Sequence, residues 1–289
     1  MTEISDSTLA IAVSNAGGIG SISPGKTRDL KWYNYECERF TKEVNHNIFV
    51  LALPLDFLLD STFKKETYKL VLKYSPHCLL LLFDGPLVYK RDSLIELRPF
   101  LYSCKKNNIN LVGRHLNLIG HSWQTDYKAY RKTTNEVFSF YDYITLKGSD
   151  SAGYAGTVDS LSILEHTIKH YPNNKFIATG GIYSKEAIET HLNAGAYAVE
   201  IGSIFALSKE SSLSERTKKR VFEDLKNKNF HISKADKTGQ LFYSPSGAFN
   251  LYNGATGNID EGHIFLGKKL STFNIEYGMS VEEIMKVLL

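Results

Sequence analysis

The stretch KFIATGGIYSKEAIETHLNAGAYAVEIGSIF, residues 175–205, decides the fold class of this 289-residue chain. It contains two apolar runs of strand length. Each run ends in a glycine turn, with Gly180 and Gly181 after the first and Gly202 after the second. A segment of helical period lies between the runs and begins at Ser184, a residue type that favours the start of a helix. A strand, a turn, a helix and a second strand in this order predict parallel strands covered by helices.

The same alternation extends back towards the amino terminus. The apolar runs are Gly18–Ile22, Ile48–Leu53, Cys78–Phe83, Ile109–Gly113, Tyr143–Leu146, Lys175–Thr179 and Ala198–Gly202. Glycine-rich turns follow the last runs, where barrels bind phosphate, whereas a doubly wound sheet would carry them after its first strand. We therefore predict a (β/α)8 TIM barrel whose first strand is atypical or missing. A short stub over residues 2–5, a misassigned start and another segment in that position remain open alternatives.

We expect one barrel domain over residues 1–289, interrupted by an irregular insertion at about 229–263. The insertion is rich in glycine, asparagine, serine and aromatic residues and has no clear period. Such a stretch serves as a lid, an oligomer contact or a surface excursion. Near the end of the chain, Ser280 and Glu283 have the spacing of a capping box and predict a last helix.

The composition excludes several classes of partner. The net charge is +3, from 34 basic and 31 acidic residues, so we expect no nucleic acid and no membrane among the partners. The three cysteines are far apart and form no C-x-x-C pair, which is typical of a cytoplasmic protein without disulfides. No run approaches the roughly 18 apolar residues of a membrane span, and the polar residues 1–10 do not form a signal peptide.

The two glycine turns indicate an anion site. Gly180 and Gly181 allow left-handed backbone and close approach of a ligand, and Gly202 with Ser203 repeats the arrangement after the next strand. Free N–H groups at such turns, beside the start of a helix, bind phosphate on barrels. The alternative is that both are tight turns that bind nothing.

Four segments carry a resemblance to a known family. They are AVSNAGGIGSI (12–22), GSDSAGYAG (148–156), ATGGIYSKEAIETHLNAGAYAVEIGSIFALSKES (178–211) and, more faintly, FLGKKLSTFNIEYGMSVEEIMKVL (265–288). With these segments the chain resembles the nitronate monooxygenases, also called 2-nitropropane dioxygenases, and the FMN-dependent enoyl-acyl-carrier-protein reductases. The resemblance implies a (β/α)8 barrel that binds FMN, with the phosphate on the two glycine turns. It adds Asn15 and Gly17 to the cofactor-binding residues, and NADPH or NADH as the reductant.

The second segment departs from the family at one position. The family pattern there is G-x-E-x-[GA]-G-H-x-G, and this chain supplies Gly148, Asp150, Gly153 and Gly156 but has Tyr154 in place of the histidine. The resemblance implies that this loop packs against the flavin and that position 154 takes part in substrate chemistry. An imidazole titrates near neutrality, whereas a phenol with a pKa of about 10 is a proton donor and a poor base. Tyr154 is therefore either a proton donor or a residue that only fills space.

Other residues are candidates for the same site. Lys147, directly before the loop, either contacts the N1–C2 side of the flavin and stabilises the reduced ring or is a solvated rim residue. His115 and His121 follow a strand and are substitute acid–base groups for the absent histidine. They lack nearby carboxylates at useful spacing, so we expect no metal site. Arg114 is a candidate for binding an anionic group.

These observations predict an FMN-dependent oxidoreductase that exchanges a hydride with a small organic molecule through flavin N5. The alternatives are an FMN-dependent enoyl reductase in a fatty-acid or polyketide-like pathway, and a non-catalytic barrel subunit that has lost the family activity. The sequence leaves open whether the chain forms a homodimer or joins a partner subunit.

Overall fold

The computed structural model describes residues 4–24, 29–82, 91–116, 134–154, 158–227, 230–234, 240–245, 266–267, 270 and 276–289. Its main feature is a curled sheet of seven parallel strands that follow one another in chain order. The strands are β1 (Gly20–Ile22), β2 (Phe49–Pro54), β3 (Cys78–Leu82), β4 (Asn110–Leu116), β5 (Tyr143–Lys147), β7 (Phe176–Thr179) and β8 (Ala198–Glu200), and β6 (Gly153–Tyr154) belongs to a second sheet. The seven predicted apolar runs are thus confirmed as strands of one barrel-like sheet.

Helices connect these strands and cover one side of the sheet. They are α1 (Ser7–Asn15), α2 (Leu30–Glu43), α3 (Asp56–Leu59), α4 (Ser61–Tyr74), α5 (Arg91–Glu96), α6 (Arg98–Lys106), α7 (which includes residues 134–138), α8 (Ser160–His170), α9 (Lys185–Asn193), α10 (Glu215–Asn227) and α11 (Val281–Leu288). Within the described ranges, none of them combines the length and the apolar character that crossing a lipid bilayer requires.

The sheet has an outer and an inner face, because successive residues of a strand point to opposite sides. On the outer face Leu51 and Leu79 join the large apolar core that the strands share with the helices. On the inner face Ala52, Leu80 and Val112 form a separate, small apolar cluster. The strands are apolar on both faces, which explains why their sequences show continuous hydrophobic runs.

The seven strands leave one position open relative to an eight-stranded barrel, and residues 4–5 lie beside it. The Ser23 N–H donates to the Ser5 carbonyl over 2.9 Å, and the Ser5 hydroxyl donates to the Ser21 carbonyl over 2.5 Å. On the other side the Ser212 hydroxyl donates to the Ile4 carbonyl over 3.1 Å. Residues 4–5 therefore connect the end of β1 with the segment after β8. Among the described residues the closed eight-stranded barrel is not formed.

Part of the predicted irregular insertion has regular structure. β9 (Phe230–Lys234) and β10 (Gln240–Pro245) form an antiparallel pair, and β10 also pairs with β6. The hairpin thus attaches to the loop that follows β5. Residues 246–263 of the insertion lie outside the described residues.

The helix ends show the expected capping. Asp6 is the N-cap of α1 and accepts a hydrogen bond from the Leu9 N–H. Ser280 is the N-cap of α11 and forms the predicted capping box with Glu283. These caps pair N–H groups that a helix leaves unpaired at its start.

Candidate functional site

The carboxyl ends of β5, β7 and β8 lie side by side. In the register of the sheet Lys147 is opposite Thr179, and Thr179 is opposite Glu200. The Gly148 N–H donates to the Thr179 carbonyl over 3.0 Å, and the Thr179 hydroxyl donates to the Glu200 carbonyl over 2.8 Å. The turns that follow these three strands therefore meet at one edge of the sheet.

Two of these turns require glycine for geometric reasons. Gly180 and Gly181 have φ values of 105° and 75°, in the left-handed region that strains residues with a Cβ. A Cβ on Gly180 would also collide with the Ser151 side chain. A Cβ on Gly148 would lie 2.5 Å from the Ser160 backbone N at the start of α8. The small residues bring three backbone segments into direct contact at this edge.

The turn of Gly202 and Ser203 is closed on one side by Gly267. The Gly267 N–H donates to Ser203 Oγ over 2.9 Å. The Tyr183 hydroxyl also forms a hydrogen bond with Ser203, and burial, followed by the nearby Asp150 carboxylate, raises the pKa of Tyr183. Tyr183 is therefore a neutral hydroxyl at physiological pH, and the Ser203 side chain is held from two sides.

Both turns carry backbone donors without a partner in the described chain. The N–H groups of Gly181, Gly202 and Ser203 donate to no other residue in the described ranges. Because backbone N–H groups in folded proteins are normally paired, donors of this kind at two adjacent turns are available to an anion. Helix α9 begins just after the first turn with Ser184 as its N-cap, and its dipole adds to the attraction. The arrangement has the chemistry of a phosphate site.

Asn15 and Gly17 lie at the opposite edge of the sheet. Asn15 is the last residue of α1, and Gly17, with a φ of 92°, turns the chain towards the amino end of β1. The strands are parallel, so the amino end of β1 is remote from the glycine turns at the carboxyl ends. The two residues shape the turn between α1 and β1 and do not join the candidate site, which corrects the expectation from the sequence.

Three charged side chains lie on the inner face beside the glycine turns. Leu146 faces the outer core, so the next residue, Lys147, faces the inside of the sheet. Lys147 is 7% exposed. Its ammonium donates to the Ala152 carbonyl over 2.9 Å. Arg114 of β4 and Glu200 of β8 form an ion pair with an Nη2–Oε1 distance of 2.5 Å, and their side chains are 27% and 38% exposed. The inner face thus changes from apolar to charged towards the carboxyl ends of the strands.

The charges of this cluster depend on one another. Burial, followed by repulsion from Arg114, lowers the pKa of Lys147 to about 7, although Glu200 acts in the opposite direction. Burial alone would raise the pKa of Glu200, but Arg114 and Lys147 outweigh it and lower that pKa. These shifts favour the ionised form of Glu200 and disfavour the ammonium form of Lys147.

Sequence reasoning found only part of this cluster. It named Lys147 and Arg114 as separate candidates, and it missed Glu200. The available signal was the position of Glu200, a carboxylate that ends an apolar strand two residues before Gly202. Within the described ranges, no group of three or more histidine, cysteine, aspartate and glutamate side chains is arranged to hold a metal.

The loop after β5 carries Tyr154 into the second sheet. The backbone of Tyr154 pairs with Gln240 of β10, and that of Gly153 pairs with Leu241. His115 belongs to β4. The side chains of Tyr154 and His115, and all of His121, lie outside the described residues, so their roles remain predictions.

Comparison with known proteins agrees with the resemblance in the sequence. A family model described as nitronate monooxygenase matches residues 125–236. This range contains the loop of Tyr154 and both glycine turns. No curated protein matches the chain in sequence. The resemblance to the nitronate monooxygenase family is therefore confirmed, with the match centred on the candidate site.

Two solved structures share the fold over nearly the whole chain. FabK from Thermotoga maritima has a TM-score of 0.70 and 17% sequence identity, covering 99% of this chain and 88% of that chain. The nitroalkane oxidase from Streptomyces ansochromogenes has a TM-score of 0.67 and 16% identity, covering 99% of this chain and 91% of that chain. At these identities the likeness shows a common fold.

Proposed function

We propose that this chain, which is similar to the nitronate monooxygenases over residues 125–236, is an FMN-dependent oxidoreductase. The observation that carries the proposal is the pair of adjacent glycine turns at the carboxyl ends of β7 and β8, with backbone donors that no other described residue accepts from. Such a pair is the phosphate position of barrels that bind phosphorylated ligands. The family match makes FMN the expected ligand.

The residues present fit this cofactor. Gly180, Gly181, Gly202 and Ser203 would hold the phosphate through backbone N–H groups and a hydroxyl. The loop of Gly148, Asp150 and Gly153 is the expected neighbour of the flavin ring, together with the Lys147 side chain. Bound FMN would supply hydride exchange with a small organic substrate at N5, and NADPH or NADH would be the reductant.

The chain's own residues would bind the substrate and supply its proton. Position 154 is occupied by tyrosine, so abstraction of a carbon-bound proton there is disfavoured and hydrogen-bond donation to a developing oxyanion is favoured. We therefore propose a reduction or a dehydrogenation in preference to simple nitronate oxidation. Glu200 holds Arg114 on the inner face, where the guanidinium is placed to bind an anionic part of the substrate.

A second candidate within the same class is an enoyl reductase of a fatty-acid or polyketide-like pathway. The observation that favours it is the replacement of the family histidine by tyrosine, because reducing an enoyl group needs a proton donor. A third possibility is a barrel subunit without catalytic activity. It differs from the other two because its flavin would be neither reduced by a nicotinamide nucleotide nor re-oxidised by a substrate.

The experiment that tests the function is anaerobic reduction of the FMN-loaded protein. NADPH and then NADH are added while the flavin band at about 450 nm is followed. We expect one of the two to bleach the band, and re-oxidation by a panel of 2-enoyl thioesters, quinones and nitronates to identify the substrate class. Failure of both nucleotides and of all oxidants with FMN bound would support the non-catalytic reading instead.

A further inference from the structure

We propose that Lys147 is the general acid–base group of this site, with Arg114 and Glu200 as the flanking charges that control it. The proposal rests on the proposed function, because it assigns the proton transfer of that reaction to Lys147 and leaves Tyr154 the hydrogen bond to the developing oxyanion. The family has a histidine at the position that Tyr154 occupies in this chain. Lys147 lies at the base of the same loop and supplies a different titrating group.

The position of Lys147 is suited to a reacting group. It is the last residue of β5 and lies on the inner face, directly before Gly148 and beside the ends of β7 and β8. Within the described part of the chain its Nζ donates to the Ala152 carbonyl, and an ammonium group carries two further hydrogens. The lysine is therefore anchored to the loop that carries Tyr154 and still has donors for a substrate.

The groups that face Lys147 come from each neighbouring element. β4 supplies Arg114, β8 supplies Glu200, and β7 supplies Thr179, which does not titrate in this range. Asp150 of the adjoining loop acts on Tyr183, whose pKa burial and then Asp150 raise. Among the described residues, the charges that shift the pKa of Lys147 are thus one cation and one anion that are paired with each other.

This environment makes a lysine useful at neutral pH. Removal from water destabilises the ammonium form, and an adjacent cation does so further. Burial and Arg114 lower the pKa of Lys147 to about 7, with Glu200 opposing them. A group whose pKa lies near the working pH can both give and take a proton, whereas a phenol with a pKa of about 10 is a poor base.

The proton balance of the step is simple. In the reductive direction the ammonium N–H bond breaks, a new C–H or O–H bond forms on the substrate, and Lys147 becomes a neutral amine. The amine then takes a proton from solvent. The step moves one proton and no electrons. In the oxidative direction the amine takes the proton from the substrate.

Two measurements that need no FMN test this proposal. In protein labelled with ¹³C-lysine, the Cε resonance that disappears in Lys147→Met is followed with pH. We expect a midpoint near 7, higher in Arg114→Met because a repelling cation is lost, and lower in Glu200→Gln because an attracting anion is lost. Trace acetylation with acetic anhydride at pH 7, read by peptide mass spectrometry, should modify Lys147 ahead of the surface lysines.

Several results would overturn the proposal. A midpoint near the ordinary lysine value of about 10, or shifts of the wrong sign in the two variants, would remove the electrostatic basis. Failure of Lys147 to react with acetic anhydride would show that no small molecule reaches its amine. Loss of FMN binding would instead contradict the proposed function and would leave both of these measurements intact.

The pH profile of turnover then separates catalysis from a structural role. The assay follows the reduction of a 2-enoyl thioester by NADPH at a series of pH values. The apparent pKa near 7 in the pH dependence of kcat should rise in Arg114→Met and fall in Glu200→Gln. The same apparent pKa should remain in Tyr154→Phe. An apparent pKa that stays fixed in both flanking variants would exclude Lys147 as the acid–base group.

Discussion

Two physical requirements explain the glycines at positions 180 and 181, namely a left-handed backbone and close packing. Both glycines have a left-handed backbone, and the absence of a side chain at Gly180 lets Ser151 approach. The sequence indicated both features, because consecutive glycines after a buried strand have few other uses. Lys147, by contrast, could be identified as a candidate from the sequence but its surroundings could not, since Arg114 and Glu200 are distant in the chain and meet only through the curl of the sheet.

We predict that Gly181→Glu and Gly202→Glu each abolish FMN retention. The new side chain adds bulk and a negative charge to a turn that binds an anion, and at Gly181 it also strains the backbone by about 1–2 kcal/mol. FMN stoichiometry after gel filtration measures the effect. The matched control is Gly17→Glu, which imposes similar strain, with a φ of 92°, in open space at the opposite edge. Equal FMN loss in the control, or none in the two site variants, would remove the assignment.

Tyr154→Phe is expected to retain FMN and to slow turnover by about 10²-fold or more, the scale for loss of a hydrogen-bond donor to a developing oxyanion. Phenylalanine keeps the ring and deletes only the hydroxyl. Steady-state kcat with the substrate found in the oxidant panel is the measurement. An unchanged kcat would leave Tyr154 as a space-filling residue and direct attention to Lys147, His115 and His121. The complementary Tyr154→His restores the family residue, and a gain of nitronate oxidation would show that this position diverted the reaction.

At the scale of elements, the strands were easier to predict than their ends. The apolar run at 109–113 indicated β4, but the strand continues to Leu116, because Arg114 is neutralised on the inner face by Glu200. The hairpin of β9 and β10 was not predicted, since its strands gain pairing from the remote Gly153 and Tyr154. Strand formation that depends on tertiary pairing leaves only a weak trace in local sequence.

The last helix gives a quantitative test at this scale. Ser280 accepts from the Glu283 N–H over 3.2 Å and the Glu283 carboxylate accepts from the Ser280 N–H over 2.7 Å. Ser280→Ala should therefore lower the free energy of unfolding by about 1 kcal/mol, as measured by urea titration. The control is Ser162→Ala at the third position of α8, where the exposed hydroxyl donates to the N-cap Asp159 and, within the described ranges, to no other residue, and the expected change is within about 0.5 kcal/mol. Equal losses in the two variants would contradict the capping role.

For the whole molecule, the buried Lys147 makes stability depend on pH. Its pKa is lowered to about 7 in the folded state from the ordinary lysine value of 10.5, so between these values the unfolded state binds more protons. Stability from this group therefore rises with pH across that window, by at most about 1.4 kcal/mol per pH unit. Below pH 7 the lysine is charged in both states and its burial costs free energy in full.

Lys147→Met is accordingly expected to be more stable than the native chain at pH 7, with the difference shrinking towards pH 10. Urea unfolding of both proteins at pH 7, 8, 9 and 10 gives this difference and cancels the contributions of other groups. A difference that is constant with pH would show that the lysine has its ordinary pKa in the folded state.

The order of strands and helices could largely be predicted from the sequence, because hydrophobic periodicity and the positions of glycines are local properties of the chain. The way the open position between β1 and β8 is occupied could not, since it depends on the contacts of Ser5 with Ser23 and of Ile4 with Ser212. The direction of the strands also separated Asn15 and Gly17 from the site, although motif similarity had grouped them with it.

The central claim is that the two glycine turns bind the phosphate of FMN. It is tested most directly by titrating the purified, flavin-free chain with FMN and, separately, with riboflavin, which has the same ring and no phosphate. We predict saturable binding of one FMN per chain and an affinity for riboflavin that is lower by at least about 100-fold, because several charge-assisted hydrogen bonds are lost. Equal affinity for the two flavins, or no binding of either, would contradict the account.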